Sequence, residues 1–280
     1  MKKLIAVIAP GAMGAAVGAR LVQNNVDVVT SLAGRSPATA ERAAKAGMRA
    51  ATDAEIAGAE IILSILPPKD ALGLAERLAP VLRKAERKPV YVDCNAVSPP
   101  TAQRIGAVVS ETGAPFVDGG IIGGPPREGY NGPVFYMSGE HAHKVEVLGR
   151  HGLVVRVVDG GIGAASALKM SYAAITKGLT ALGTVSILAA TEAGAAQALY
   201  KELSESQPQL LTYLTRSVPD MFPKAYRWVA EMQEIADFTG RDEGSRIYDA
   251  IADLYQGIAH DMEGAKRDVG TLAAFFKSKG

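Results

Sequence analysis

Residues Leu4 to Leu21, LIAVIAPGAMGAAVGARL, constrain the fold more than any other stretch of the chain. An apolar run, Leu4 to Ile8, leads into Pro10-Gly11-Ala12-Met13-Gly14 and then into a helical pattern of small residues. That order is a first strand, a tight glycine turn and a first helix, the opening of a dinucleotide-binding fold. Gly11 lets the backbone approach a pyrophosphate with no Cβ in the way, and Gly14 lets the helix pack close to the strand. The helix N-terminus then offers unbonded N–H groups and a partial positive charge to phosphates. Ala9 stands where the usual first glycine of the spacing falls, so position and context carry the reading. Met1-Lys2-Lys3 before an apolar run also matches the start of a secretory signal, but Pro10-Gly11 interrupts that run and a second strand follows at βαβ distance.

The second strand, Val26 to Leu32, contains Ser31 and ends without the Asp or Glu that would hold a ribose 2′-hydroxyl. Gly34-Arg35-Ser36 follows instead. Arg35 offers a guanidinium fork and Ser36 a hydroxyl to a 2′-phosphate, so the expected cofactor is NADP(H). Ile61 to Leu66 is apolar almost throughout, as a buried parallel strand is, and stops at Pro67-Pro68. Leu66 and Pro67 thus stand at the carboxyl edge of the sheet, where such folds bind their ligands. Pro89 to Asp93 is the next strand and delivers Cys94, Asn95 and Ala96 to the same edge. Pro115 to Asp118 runs into Gly119-Gly120-Ile121-Ile122-Gly123-Gly124, a backbone suited to close approach to a ligand. Pro133 to Ser138 and Leu153 to Val158 read as two further strands.

Strand and helix alternate up to about residue 158, the signature of a doubly wound, Rossmann-type parallel sheet. Residues 1–158 are expected to form that domain, and 159–280 an all-α domain entered through a long helix from Ala164 to about Ala193. In Lys224 to Phe238 the apolar residues Ala225, Trp228, Met232 and Ile235 fall on one stripe. Lys224, Arg227, Glu231 and Glu234 are expected to face elsewhere, with Arg227 and Glu231 spaced to pair along a solvated face.

Composition narrows the function. A hydrophobic fraction of 48% supports a sizeable core, and a net charge of +1 without a basic stripe argues against nucleic acid. No stretch has the flanks and polarity expected of a membrane span. The single cysteine, Cys94, allows no internal disulfide and no metal pattern, which fits a reducing cytoplasm. His141 and His143 lie two apart, the wrong spacing for two ligands on one helix face, so no metal is expected. Lys169, near the start of the long helix among small and apolar neighbours, is the best candidate for a proton-transfer residue, since partial desolvation lowers a lysine toward neutrality; the alternative from spacing alone is a lysine whose stem packs and whose ammonium reaches water.

Taken together, four segments resemble the β-hydroxyacid dehydrogenase family, which includes 3-hydroxyisobutyrate and 6-phosphogluconate dehydrogenases. They are Ala9 to Gly14, Asp93-Cys94-Asn95-Ala96-Val97-Ser98-Pro99, Asp118 to Gly124, and Gly163-x-Ala165-x-x-x-Lys169. The resemblance implies a Rossmann domain, an interdomain helix and a helical domain through which subunits form a homodimer. It implies cofactor contacts at Pro10, Gly11, Ala12, Met13, Gly14 and Asn95, and Lys169 as general acid/base. Substrate contacts would come from Asn95, Gly119, Gly120, Ile122, Gly123 and Gly124, with Tyr172 as a further candidate. Arg227-Trp228-x-x-Glu231-Met232 looks like a branch with a variant C-terminal domain. The family's usual Ser or Thr is Asn95 here, its Ser is Ile122, and its Asn four residues after the lysine is Ala173. A retained redox reaction on an altered, bulkier or less acidic substrate is the resulting expectation. The rival readings are an imine reductase of similar fold, whose members commonly carry Asp or Tyr at the lysine position, and a non-catalytic NADPH-binding protein.

Overall fold

The computed structural model describes residues 3–240 and 242–277. The chain divides into two compact units, Met1–Lys169 and Met170–Gly280.

The first unit is built on one eight-stranded sheet. Its strands are β1 (Leu4–Ile8), β2 (Asp27–Thr30), β3 (Arg49–Ala50), β4 (Ile61–Ser64), β5 (Val90–Asp93), β6 (Phe116–Ile122), β7 (Val134–Ser138) and β8 (Val154–Val157). They lie in the order β3-β2-β1-β4-β5-β6-β7-β8. Helices α1 (Ala12–Gln23), α2 (Pro37–Lys45), α3 (Asp53–Ala57), α4 (Ala71–Lys84) and α5 (Pro99–Ser110) connect them. The central strands are buried on both faces, which is why they read as continuous apolar runs. Ile5 and Val7 of β1 enter one core with Val17 and Leu21 of α1. Ala6 and Ile8 enter the other, with Leu74, Leu78 and Leu82 of α4.

The sheet departs from an all-parallel one at a single pairing, since β7 runs antiparallel to β6. Residues 123–133 between them hold no helix and three prolines. A segment of that kind cannot make the helical crossover that a parallel return requires.

Helix α6 (Ala164–Glu192) leads into the second unit, which continues with α7 (Ala196–Ser206), α8 (Pro208–Met221), α9 (Ala225–Thr239), α10 (Asp242–Glu263) and α11 (Arg267–Lys277). Ala225, Met232 and Ile235 of α9 are buried, as the stripe predicts, alongside Ile251, Tyr255 and Ile258 of α10. Glu231 departs from the expectation. Its carboxylate turns inward to Lys177 of α6 rather than along its own helix to Arg227. The division between the two compact units falls within α6, after Lys169, and the first turn of α6 is bonded to β6, as described below. By length and composition α6 is also long and apolar enough to cross a membrane, which corrects the expectation that no stretch would be.

Candidate active site

The cofactor turn is built as the glycine spacing requires. Gly11 is the N-cap of α1 and carries no side-chain cap, so the first N–H groups of the helix are unclaimed by a capping side chain. A Cβ on Gly11 would meet nothing within 4 Å, whereas one on Gly14 would lie 2.1 Å from the Ala9 carbonyl oxygen. Gly11 therefore leaves an open cradle and Gly14 permits the strand–helix approach. Gly11 and Ala12 are exposed, Met13 is half-buried and Pro10 is buried. Arg42 of α2, which the sequence did not single out, donates to the Pro10 carbonyl at 3.1 Å. An uncapped helix N-terminus above an open glycine fits the pyrophosphate of a dinucleotide.

At the end of β2, Ser31 is buried and the Thr30 hydroxyl has no hydrogen-bond partner among the described residues. Gly34 takes a φ of 69°, which turns the chain so that Arg35 stands exposed. Ser36 is the N-cap of α2, its oxygen accepting from the Thr39 N–H at 3.3 Å.

A buried polar cluster lies at the carboxyl ends of β4, β5 and β6. Asn95 is only 2% exposed. Its amide oxygen accepts from the Leu66 N–H, and its amide nitrogen donates to Ser64 Oγ at 2.8 Å and to Asp93 Oδ1. Both ends of the amide thus tie β4 to β5. Pro67 follows Leu66 and opens a short 3₁₀ turn, Pro68–Asp70. The second oxygen of Asp93 has no hydrogen-bond partner among the described residues. Burial, and next the nearby Asp118 charge, push the Asp93 carboxyl up to about 7, opposed by Asn95, Lys169 and Ser64. Burial likewise pushes the Cys94 thiol up.

Asp118 organises the other half of the cluster. Its carboxylate accepts from the Gly163 N–H at 3.0 Å, the Ser166 N–H at 3.0 Å, the Ser166 hydroxyl at 2.6 Å and the Ser138 hydroxyl at 3.1 Å. Ser138 Oγ in turn accepts from the Ala165 N–H at 2.9 Å. The first turn of α6 is thereby fixed to β6 and β7, with a carboxylate where the helix dipole favours one. Gly120 lets the helix come this close, since a Cβ there would lie 2.7 Å from the Ala165 carbonyl and 3.2 Å from Lys169 Cβ. A Cβ on Gly119 would meet the Asp93 carbonyl at 2.9 Å and Cys94 Sγ at 3.0 Å. Half-buried Lys169 therefore stands beside β6, near enough for its charge to act on both Asp93 and Cys94. Beyond it, Ile122 is half-buried, Gly123 has a φ of 121° and Gly124 is open.

The structure thus gathers Leu66, Asn95, Gly119, Gly120 and Lys169 at the edge that also carries the cofactor turn. Tyr172, Arg227 and Glu231 belong to the second unit. Asp93, Asp118, Ser138, Ser166 and Arg42 had no assigned role in the sequence reading. Their one signal was a carboxylate closing each of two apolar strands, which demands buried donors.

An open glycine turn at a helix N-terminus, with a half-buried lysine on the same unit, fits a nicotinamide-dinucleotide-binding oxidoreductase, and the family comparison gives that class. Residues 4–150 match the NAD binding domain of 6-phosphogluconate dehydrogenase, and residues 190–258 match a domain of unknown function, DUF1932. The chain belongs to this β-hydroxyacid dehydrogenase-like family, in a branch with a variant C-terminal domain. An uncharacterized 28.5 kDa protein of Methanothermus fervidus is 31% identical over 221 residues, 77% of this chain and 83% of that protein. A conserved protein of unknown function, described as structurally similar to 3-hydroxyacid dehydrogenases, is 27% identical with a TM-score of 0.75, over 93% of this chain and 98% of that one. The 3-hydroxyisobutyrate dehydrogenase of Mycobacterium tuberculosis, solved with L-serine, shares the fold at a TM-score of 0.75 and 20% identity, over 100% of both chains.

Proposed function

We propose that this chain is an NADP(H)-dependent oxidoreductase that interconverts a hydroxyl β to a carboxylate and a carbonyl, with Lys169 as general acid/base. The observation that carries the reading is Lys169 itself, held against Gly120 by the Asp118-anchored start of α6 and facing the carboxyl ends of β5 and β6. The bound nicotinamide supplies or receives the hydride. Lys169 as the neutral amine accepts the hydroxyl proton in oxidation, and as the ammonium returns it in reduction. Gly11 and Ala12 hold the pyrophosphate, and exposed Arg35 takes the 2′-phosphate. The Gly119 to Gly124 backbone receives the substrate. Asn95, its amide engaged on both sides, would act by fixing the ends of β4 and β5 beside the cofactor.

The test is NADP⁺ reduction with a panel of small 3-hydroxy acids, 6-phosphogluconate, and aromatic and uncharged β-hydroxy compounds, with Lys169→Ala alongside. Wild-type turnover that falls about 10²–10⁴-fold in the variant supports the reading. No turnover on any member, with NADPH still bound, overturns it in favour of imine reduction or a binding role. Arg35→Ala should lower the preference for NADPH over NADH, and an unchanged ratio would remove Arg35 from the assignment.

The same proposal extends to a cytoplasmic homodimer. Leu168, Ile175, Leu179, Leu182 and Val185 of α6 are exposed apolar residues. Their spacing of three, four and seven positions puts them on one face that a second copy of α6 would bury. A monomeric mass by light scattering at micromolar concentration would contradict it.

A further inference from the structure

The helical unit holds a cavity of about 380 Å³, large enough for a small organic ligand. It lies among α6, α8 and α9, and two features give it a chemical character.

Its wall is a closed circuit of contacts. Lys177 pairs with Glu231, and its ammonium lies 4.7 Å from the Trp228 ring centroid. Trp228 meets Tyr255 edge-on with centroids 5.2 Å apart, and the Tyr255 hydroxyl returns to donate to the Lys177 carbonyl at 2.6 Å. A largely buried ion pair is a costly way to hold helices together, because apolar side chains of similar size do so equally well. Here it fixes the plane of an indole at the cavity edge. Tyr213 is fixed in the same way, its hydroxyl donating to the Thr176 carbonyl at 2.5 Å. Tyr172 completes the aromatic surround.

The second feature is charge. Asp220, at the cavity, is held by Lys224 at 2.6 Å, and Lys177 by Glu231. Arg216 is the lining cation that makes no ion pair among the described residues, and it is exposed at the mouth.

We propose that this cavity is a ligand site for a small aromatic carboxylate. Arg216 receives the carboxylate, and the ring lies among Tyr172, Tyr213 and Trp228. The inference stands on the helical unit alone and does not depend on the redox reading.

Trp228 is the only tryptophan in the chain, so intrinsic fluorescence reports on this cavity directly. Phenylacetate is titrated into the full-length protein, with phenylacetamide and cyclohexylacetate as the uncharged and non-aromatic controls. Saturation with phenylacetate at low millimolar concentration, weaker binding of both controls and about tenfold weaker binding to Arg216→Ala support the site. A response to phenylacetate that never saturates, or one equal for phenylacetamide and unchanged in Arg216→Ala, overturns it. Arg216 lies outside the Lys177–Glu231–Trp228 frame, so its substitution does not remove the wall it probes.

Discussion

Asp118 binds Ser166 twice, accepting from its backbone N–H at 3.0 Å and its hydroxyl at 2.6 Å. Both residues are buried, so these bonds face no competition from water. They join β6 to the helix that carries Lys169 three residues further on. Asp118→Asn replaces one acceptor oxygen by a donor facing donors. It should cost about 3 kcal/mol in urea unfolding followed by circular dichroism, and Ser166→Ala about 1 kcal/mol. Equal effects from the two would show that the hydroxyl, rather than the carboxylate, holds the junction.

The glycines of the cofactor turn should separate binding from stability. Gly11 has open space where a side chain would go, so Gly11→Ala should leave the unfolding midpoint within about 0.5 kcal/mol of wild type. On the proposed function it should still weaken binding of the nicotinamide cofactor at least about tenfold, because the methyl would occupy the pyrophosphate cradle. Gly14→Ala should instead destabilise by about 2–3 kcal/mol, since its Cβ would press on the Ala9 backbone. Calorimetric titration and thermal melts of the two variants decide it, and the same ranking in both assays would refute the division of labour.

Asp93 gives the first unit a pH dependence of definite sign. Its carboxyl moves from an ordinary 3.8 to about 7 in the folded chain, chiefly through burial. The folded state therefore binds this proton more tightly than the unfolded state does. Its contribution is complete below the unfolded value and is lost as pH rises through about 7. Urea midpoints measured across that interval should fall with rising pH in the wild type. In Asp93→Asn that part of the slope should vanish, and an identical slope in both would place the titration elsewhere.

The sheet and cofactor turn are legible in the sequence because their signals are local. An apolar run followed by glycines three apart reports on consecutive residues. The polar cluster is different. Asp118 finds its donors 45 and 48 residues away at Gly163 and Ser166, a distance over which periodicity carries no information. Glu231 shows the same limit. Helical spacing offers it Arg227 on its own turn, while the fold supplies Lys177, 54 residues earlier. Asn95 was legible by position and not by role, because only the meeting of β4 and β5 reveals that both ends of its amide are engaged. The antiparallel β7 likewise follows from a short proline-containing connection, which no strand propensity encodes.

Gly120 offers the sharpest test of how Lys169 is placed. The sheet and α6 approach so closely here that a methyl group would lie 2.7 Å from the Ala165 carbonyl and 3.2 Å from Lys169 Cβ. Neither the strand backbone nor the helix backbone, pinned by Asp118, can yield without breaking buried hydrogen bonds. Gly120→Ala should therefore push the first turns of α6 outward and carry the lysine with them. The expected outcome is a loss of about 1–3 kcal/mol in stability. NADPH affinity should be nearly unchanged, because the cofactor turn lies on β1 and α1. Turnover on any substrate found for the wild type should fall about 10²-fold, as displacement of a proton-transfer group by an ångström implies. Full turnover in a destabilised Gly120→Ala would mean that the position of Lys169 against β6 does not matter to the reaction.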